Sequence, residues 1–127
     1  MSNLQLSGHT GEVLAIGYNN SSSLLASAGM DKQVLIWDCK DSYSNILNLK
    51  SHSNAIISLC WNYSDHLVTG SADKTICNFD IEMGKLSRKY KGHTSIIQSV
   101  SCPKKTRDLI ASVGDDGALR IWEQRSK

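Results

Sequence analysis

Short apolar runs alternate with polar turn clusters along the chain. "VLAIGY", "LLASA", "VLIWD" and "NILNL" are rich in branched and aromatic side chains, and clusters such as "NNSSS", "GMDK" and "GDDG" separate such runs. Runs of this kind, bounded by Gly, Asn, Asp and Ser, read as short strands and turns. No stretch carries a capped 3.6-residue period, so helices are not expected. Several windows, such as "VLIW", are apolar at successive positions rather than alternating. That suits sheets covered on both faces, because a strand with one wet face alternates.

The pattern repeats. "SAGMDKQVLIWD", "TGSADKTICNFD" and "SVGDDGALRIWE" each hold a hydroxyl residue, an Asp four positions later and an aromatic six positions beyond that. Upstream of each lies a His, in "SGHTGEV", "KSHSNAI" and "KGHTSII", and the histidines are 43 and 41 residues apart. The expected repeats are 7–48, 49–90 and 91–127 of one domain, 1–127. A fixed period of this length marks a repeat architecture and outranks any local reading. Each repeat supplies about four short antiparallel strands.

The Gly-His near each repeat start and the Trp-Asp, or its variant, at each end resemble WD repeats, which fold as four-stranded blades of a β-propeller. The resemblance covers essentially the whole chain. It implies an all-β, partial propeller of about three four-stranded blades. The implied strands of the first blade are near 13–18, 24–28, 34–38 and 46–49. Those of the second are near 56–61, 66–70, 75–80 and 85–90. The third has 96–101, 109–113 and 118–122 and lacks its outer strand. Leu4 to Leu6 is implied as an orphan outer strand.

A Ser, His and Asp set invites a catalytic reading. The resemblance implies a structural one instead, in which Asp accepts from His, His bonds the hydroxyl, and the hydroxyl takes the Trp N–H. The implied tetrads are His9, Ser27, Asp31 and Trp37; His52, Thr69, Asp73 and Phe79; and His93, Ser112, Asp116 and Trp122. Three copies at one period, hydroxyls inside strands and a Trp partner all favour the brace over an enzyme. The second copy departs: Phe79 has no N–H, Ser51 replaces Gly before His52, and Asn78 stands where the others have Ile36 and Ile121. This blade is expected to be the least rigid, with Asp73→Ala the least costly of the three Asp substitutions.

Composition changes this picture little. Apolar residues make up 40 % and charged residues 20 % of 127 residues, as in an ordinary globular domain. No apolar run is long enough for a membrane span, and the first thirty residues lack a signal-peptide core. Cys39, Cys60, Cys77 and Cys102 show no metal-ligand spacing, so they are expected to be reduced thiols of a nuclear or cytosolic protein. No cofactor or metal motif is present.

Binding is a matter of loops. The resemblance implies a partner face at Thr10, Glu12 and Met30; Ser53, Ala55 and Ala72; and Thr94, Ile96 and Asp115, against the alternative of ordinary loop residues. Net charge is only +2, yet residues 85–107 hold Lys85, Arg88, Lys89, Lys91, Lys104, Lys105 and Arg107 with no acid. This basic patch reads as a charged sheet edge that resists pairing, or as a contact for RNA or an acidic protein. No stacking platform or nucleic-acid motif accompanies it.

"LSGHTGEV", "LASAGMDK", "KGHTSIIQS", "CPKKTRDL" and "GDDGALRIW" narrow the match. They resemble the first three repeats of the WD-repeat subunits of the spliceosomal U5 particle. That implies a non-catalytic scaffold for protein–protein interaction in pre-mRNA splicing. Implied partners are the spliceosomal GTPase and scaffold subunits, with RNA contact through the basic patch, and the implied location is the nucleus, with the cytoplasm also open. The alternative is a WD adaptor of another complex, in chromatin or ubiquitin-ligase substrate recognition. Propellers close with four to eight blades. Three blades therefore imply a longer chain, self-association, or a ring completed by another protein.

Overall fold

The computed structural model describes residues 3–62, 65–103 and 109–123. Eleven strands and no helix occur among them, so no helix is long and apolar enough to cross a membrane. The first sheet holds β1 (Val13–Tyr18), β2 (Leu24–Gly29), β3 (Gln33–Asp38) and β4 (Ser44–Lys50). The second holds β5 (Ile56–Trp61), β6 (His66–Ser71), β7 (Thr75–Asp80) and β8 (Lys85–Lys91). The third holds β9 (Ile97–Ser101), β10 (Leu109–Gly114) and β11 (Leu119–Glu123). Each sheet is an antiparallel meander in chain order, four-stranded twice and then three-stranded.

Tight turns set the registers. In the β2–β3, β6–β7 and β10–β11 turns a backbone N–H returns three residues to a carbonyl: Lys32 to Gly29, Lys74 to Ser71 and Gly117 to Gly114, each at 3.2 Å. The donor residue is left-handed in all three, with φ of 67°, 75° and 78°. Gly117 adopts this freely, whereas Lys32 and Lys74 carry a steric cost of roughly 1–2 kcal/mol each.

The sheets stack face to face in chain order. Ala26, Ala28, Val34, Ile36 and Leu49 of the first sheet meet Leu67, Cys77 and Phe79 of the second. Val68, Ile76 and Tyr90 on the other face of the second sheet meet Ile97, Val100 and Ile110 of the third. The central strands of the second sheet are therefore buried on both faces, with Ile76 and Cys77 0 % and Phe79 1 % exposed. In the first sheet Val34 and Ile36 face the second, and Leu35 and Trp37 are covered by the chain around Gly8. Two faces stay open. Ile16 and Tyr18 stand exposed on the first sheet, and Leu119 and Ile121 on the third.

One expectation needs correction. Leu4 to Leu6 forms no strand, and Leu4 is two-thirds exposed. A single segment needs a neighbouring edge to satisfy its backbone groups, and none of the three sheets lends it one.

Candidate interaction surface and its internal support

Three side-chain lines run through the sheets. In the first, His9 Nδ1 lies 2.8 Å from Asp31 Oδ2, His9 Nε2 lies 2.7 Å from Ser27 Oγ, and Trp37 Nε1 donates to that oxygen at 2.9 Å. In the third, His93 Nδ1 is 3.0 Å from Asp116 Oδ2, Nε2 is 2.7 Å from Ser112 Oγ, and Trp122 Nε1 donates to Oγ at 2.9 Å. In the second, His52 Nδ1 is 2.9 Å from Asp73 Oδ2 and Nε2 is 2.7 Å from Thr69 Oγ1. Phe79 is buried in the first interface and adds no hydrogen bond to this line.

An ionised carboxylate can only accept, so Nδ1 carries the proton in each line. In a neutral imidazole Nε2 then accepts from the hydroxyl, and the hydroxyl oxygen remains open to the indole N–H. Burial raises the Asp31 carboxyl, but bonds from His9, Thr10 N–H and Gln33 N–H outweigh it and leave the group below its ordinary value. Burial acts the same way on Asp73, where His52 and Thr75 pull further and hold it well below the carboxylate range. The backbone N–H of Thr94, then that of Ala118, holds Asp116 at about 2.

Each of the three aspartates accepts from four donors, and those on Asp73 are together the shortest, none beyond 2.9 Å. Asp73 accepts from His52, from Ser53 N–H at 2.9 Å, and from both Thr75 N–H at 2.9 Å and Thr75 Oγ1–H at 2.6 Å. The sheet around it is also covered on both faces. Losing the indole leaves Thr69 without that one donor, a small loss for an oxygen whose own proton is placed. On these distances we propose the opposite ranking to the one the motif implies, with Asp73→Ala the most costly of the three substitutions.

Two of the three departures in the second copy, Ser51 and Phe79, belong together. A Cβ at Gly92 would lie 2.7 Å from Trp122 Cη2, and one at Gly8 would lie 3.3 Å from Trp37 Cη2 and 3.0 Å from Leu35 Cδ1. Glycine before the histidine lets the chain lie against the far ring of the indole. Phenylalanine lacks that ring, and Ser51 is the residue that brings a Cβ. The pairing could have been found by reading the repeats in columns, where Gly goes with Trp and Ser with Phe.

The nine candidate partner residues gather at one end of the stacked sheets. A backbone bond joins the two loops of each blade there: Met30 N to Glu12 O at 2.8 Å, Ala72 N to Ala55 O at 2.9 Å, and Asp115 N to Ile96 O at 2.9 Å. Thr10, Ser53 and Thr94 turn their N–H groups onto the tetrad carboxylates. Each brace therefore fixes the loop that carries the candidate contacts. Thr10, Glu12, Met30, Ser53, Thr94 and Asp115 are exposed, Ala72 and Ile96 half-buried, and Ala55 buried. Ala55 accordingly has almost no surface to offer.

Of the basic residues, Lys85, Lys89 and Lys91 are exposed along β8. Lys89 Nζ donates to Ser51 O at 2.6 Å, and the Arg88 guanidinium stands 5.2 Å from the Tyr90 ring centroid. Lys104, Lys105 and Arg107 lie outside the described residues.

The family model of the WD40 repeat (WD domain, G-beta repeat) matches residues 2–38, 43–80 and 84–123. The chain belongs to the WD40-repeat family. Its sheets are WD40 blades, similar in fold to the structure titled "Structure of U3-55K", with a TM-score of 0.85 at 21 % identity over 94 % of this chain and 36 % of that one. Among curated proteins it is 36 % identical to the pre-mRNA-splicing factor cwf17 of Schizosaccharomyces pombe, over 98 % of this chain and 37 % of the relative. It is 33 % identical to the U5 small nuclear ribonucleoprotein 40 kDa protein of Dictyostelium discoideum, over 98 % of this chain and 35 % of the relative. The WD40 blades described here thus span about a third of the length of these relatives.

Proposed function

We propose that this chain is a non-catalytic WD40 scaffold of the spliceosomal U5 small nuclear ribonucleoprotein, acting in pre-mRNA splicing in the nucleus. The observation that carries the reading is similarity along 98 % of the chain to two relatives whose names place them in splicing. The candidate site is in keeping with a scaffold. Ser27, Thr69 and Ser112 are 6 %, 0 % and 1 % exposed, so no substrate carbonyl reaches their oxygens. In two of the three lines the oxygen also holds an indole N–H. Each Asp–His–hydroxyl line works as a brace: it holds the loop that meets partners.

Partners are proteins docked on the loop end of the blades, in the spliceosome its GTPase and scaffold subunits. The cationic β8 edge adds attraction for RNA phosphate, which would weaken with salt. Co-purification with a tagged chain tests the reading. Recovery of U5 RNA with splicing proteins is expected. Recovery of chromatin or ubiquitin-ligase subunits without that RNA would overturn it.

A further inference from the structure

The cysteines look unrelated in the sequence, but two of them meet in the fold. Cys60 Sγ and Cys102 Sγ lie 2.7 Å apart. Cys60 is in β5 of the second blade, and Cys102 follows β9 of the third. The juxtaposition is built by the stack: two residues earlier on the same strands, Val100 N donates to Ser58 Oγ at 3.2 Å. Both pairs are 42 residues apart and join neighbouring inner strands; the equivalent pair one blade earlier is Gly17 and Trp61, where the indole N–H donates to Gly17 O at 2.8 Å. Both thiols are free and partly exposed, with their inner sides against the core between the second and third blades. A disulfide of about 2.05 Å needs only a small further approach of the two sulfurs.

We propose that Cys60 and Cys102 are a redox-active dithiol that hydrogen peroxide converts into a disulfide between the second and third blades. The neighbouring Cys102 and burial push the Cys60 thiol up, and the chemistry balances alike whichever sulfur starts it, as from Cys102. The Cys102 thiolate attacks one peroxide oxygen; the S–O bond forms, the O–O bond breaks, and the departing hydroxide leaves as water with the thiol proton. Cys60 sulfur then attacks the sulfenic sulfur. The S–S bond forms, the S–O bond breaks, and the hydroxide leaves with the Cys60 proton. Two thiols and one peroxide give one disulfide and two waters, with two electrons passing from sulfur to oxygen. The bond would pin neighbouring blades at their inner strands and close a loop of about one repeat, which restricts the unfolded chain.

The test uses the full chain with one equivalent of hydrogen peroxide, digestion without reductant and mass spectrometry. Expected are the loss of two hydrogens and a peptide pair joined through Cys60 and Cys102. The thermal midpoint should rise by roughly 10 °C and return with dithiothreitol. Cys102→Ser should abolish both changes, and Cys39→Ser should keep them. Should Cys102→Ser fold poorly, Cys102→Ala replaces it, and the peptide map of the unaltered chain stands by itself. Free thiols at both positions, separate sulfinic acids, or bonds to Cys39 or a second chain would overturn the proposal.

Discussion

The second blade and its neighbours are built on one plan and braced unequally. The first and third end their Asp–His–hydroxyl lines in an indole N–H, with glycine beneath the ring. The second ends in Phe79, with Ser51 where that glycine stands. Set beside each other, the blades lead us to propose that a missing hydrogen bond need not make a weak blade. The second has its aromatic buried in an interface, four short bonds on Asp73, and a neighbour on each face. The outer blades keep the longer line but leave apolar faces open. Position in the stack offsets what the sequence motif lacks.

The comparison can be broken most forcefully at Phe79. Phe79→Ala should destabilise the chain by about 3–5 kcal/mol in urea unfolding, since it opens a cavity in the core shared with the first sheet. A loss under about 1 kcal/mol would mean that burial does not hold this blade. Next is the carboxylate series. Asp73→Ala strands the His52 N–H and should cost about 3 kcal/mol, more than Asp31→Ala or Asp116→Ala. If Asp73→Ala proves the mildest, the shorter line decides the ranking after all.

Acid sharpens the same point. All three carboxyls are depressed in the folded chain, so the unfolded chain takes up protons first as pH falls. Their contribution is complete above the ordinary Asp value of about 3.9 and fades as pH drops toward 2, the value of Asp116. Urea midpoints measured from pH 5 to pH 2 should fall across that window. Asp116→Asn should flatten the fall, because the amide oxygen still accepts from backbone N–H and no longer titrates. The smallest effect is at Gly117, with φ of 78° and open space around it. Gly117→Ala should cost a net of about 1 kcal/mol or less, because the stiffer unfolded chain offsets part of the backbone strain, which a thermal melt resolves.

Much of this was legible in the sequence, for physical reasons that differ by element. The four residues of "VLIW" are buried together because Val34 and Ile36 face the second sheet while the chain around Gly8 covers Leu35 and Trp37, and the unbroken apolar run reflects both covers. The His, hydroxyl and Asp columns recur because the bonds between them need fixed offsets within a blade. Leu4 to Leu6 was not legible, since a strand depends on an edge that local pattern does not supply. The short bond from the Thr75 hydroxyl to Asp73 was not legible, because that hydroxyl lies outside the repeated columns. The Cys60 and Cys102 contact joins separate blades, and only the stacking places it.

The central claim is that Ser51 and Phe79 are one change, a smaller ring exchanged against an added Cβ. It can be tested in the third blade, where Gly92 touches Trp122 most closely. Gly92→Ser alone should cost about 1–3 kcal/mol by overpacking. Trp122→Phe alone should cost about 1 kcal/mol or somewhat more, through the lost bond to Ser112. The deciding measurement is a double-mutant cycle of these two changes by urea unfolding. The account predicts that the double variant is more stable than the sum of single losses allows, by about 1 kcal/mol or more. Strict additivity would contradict it.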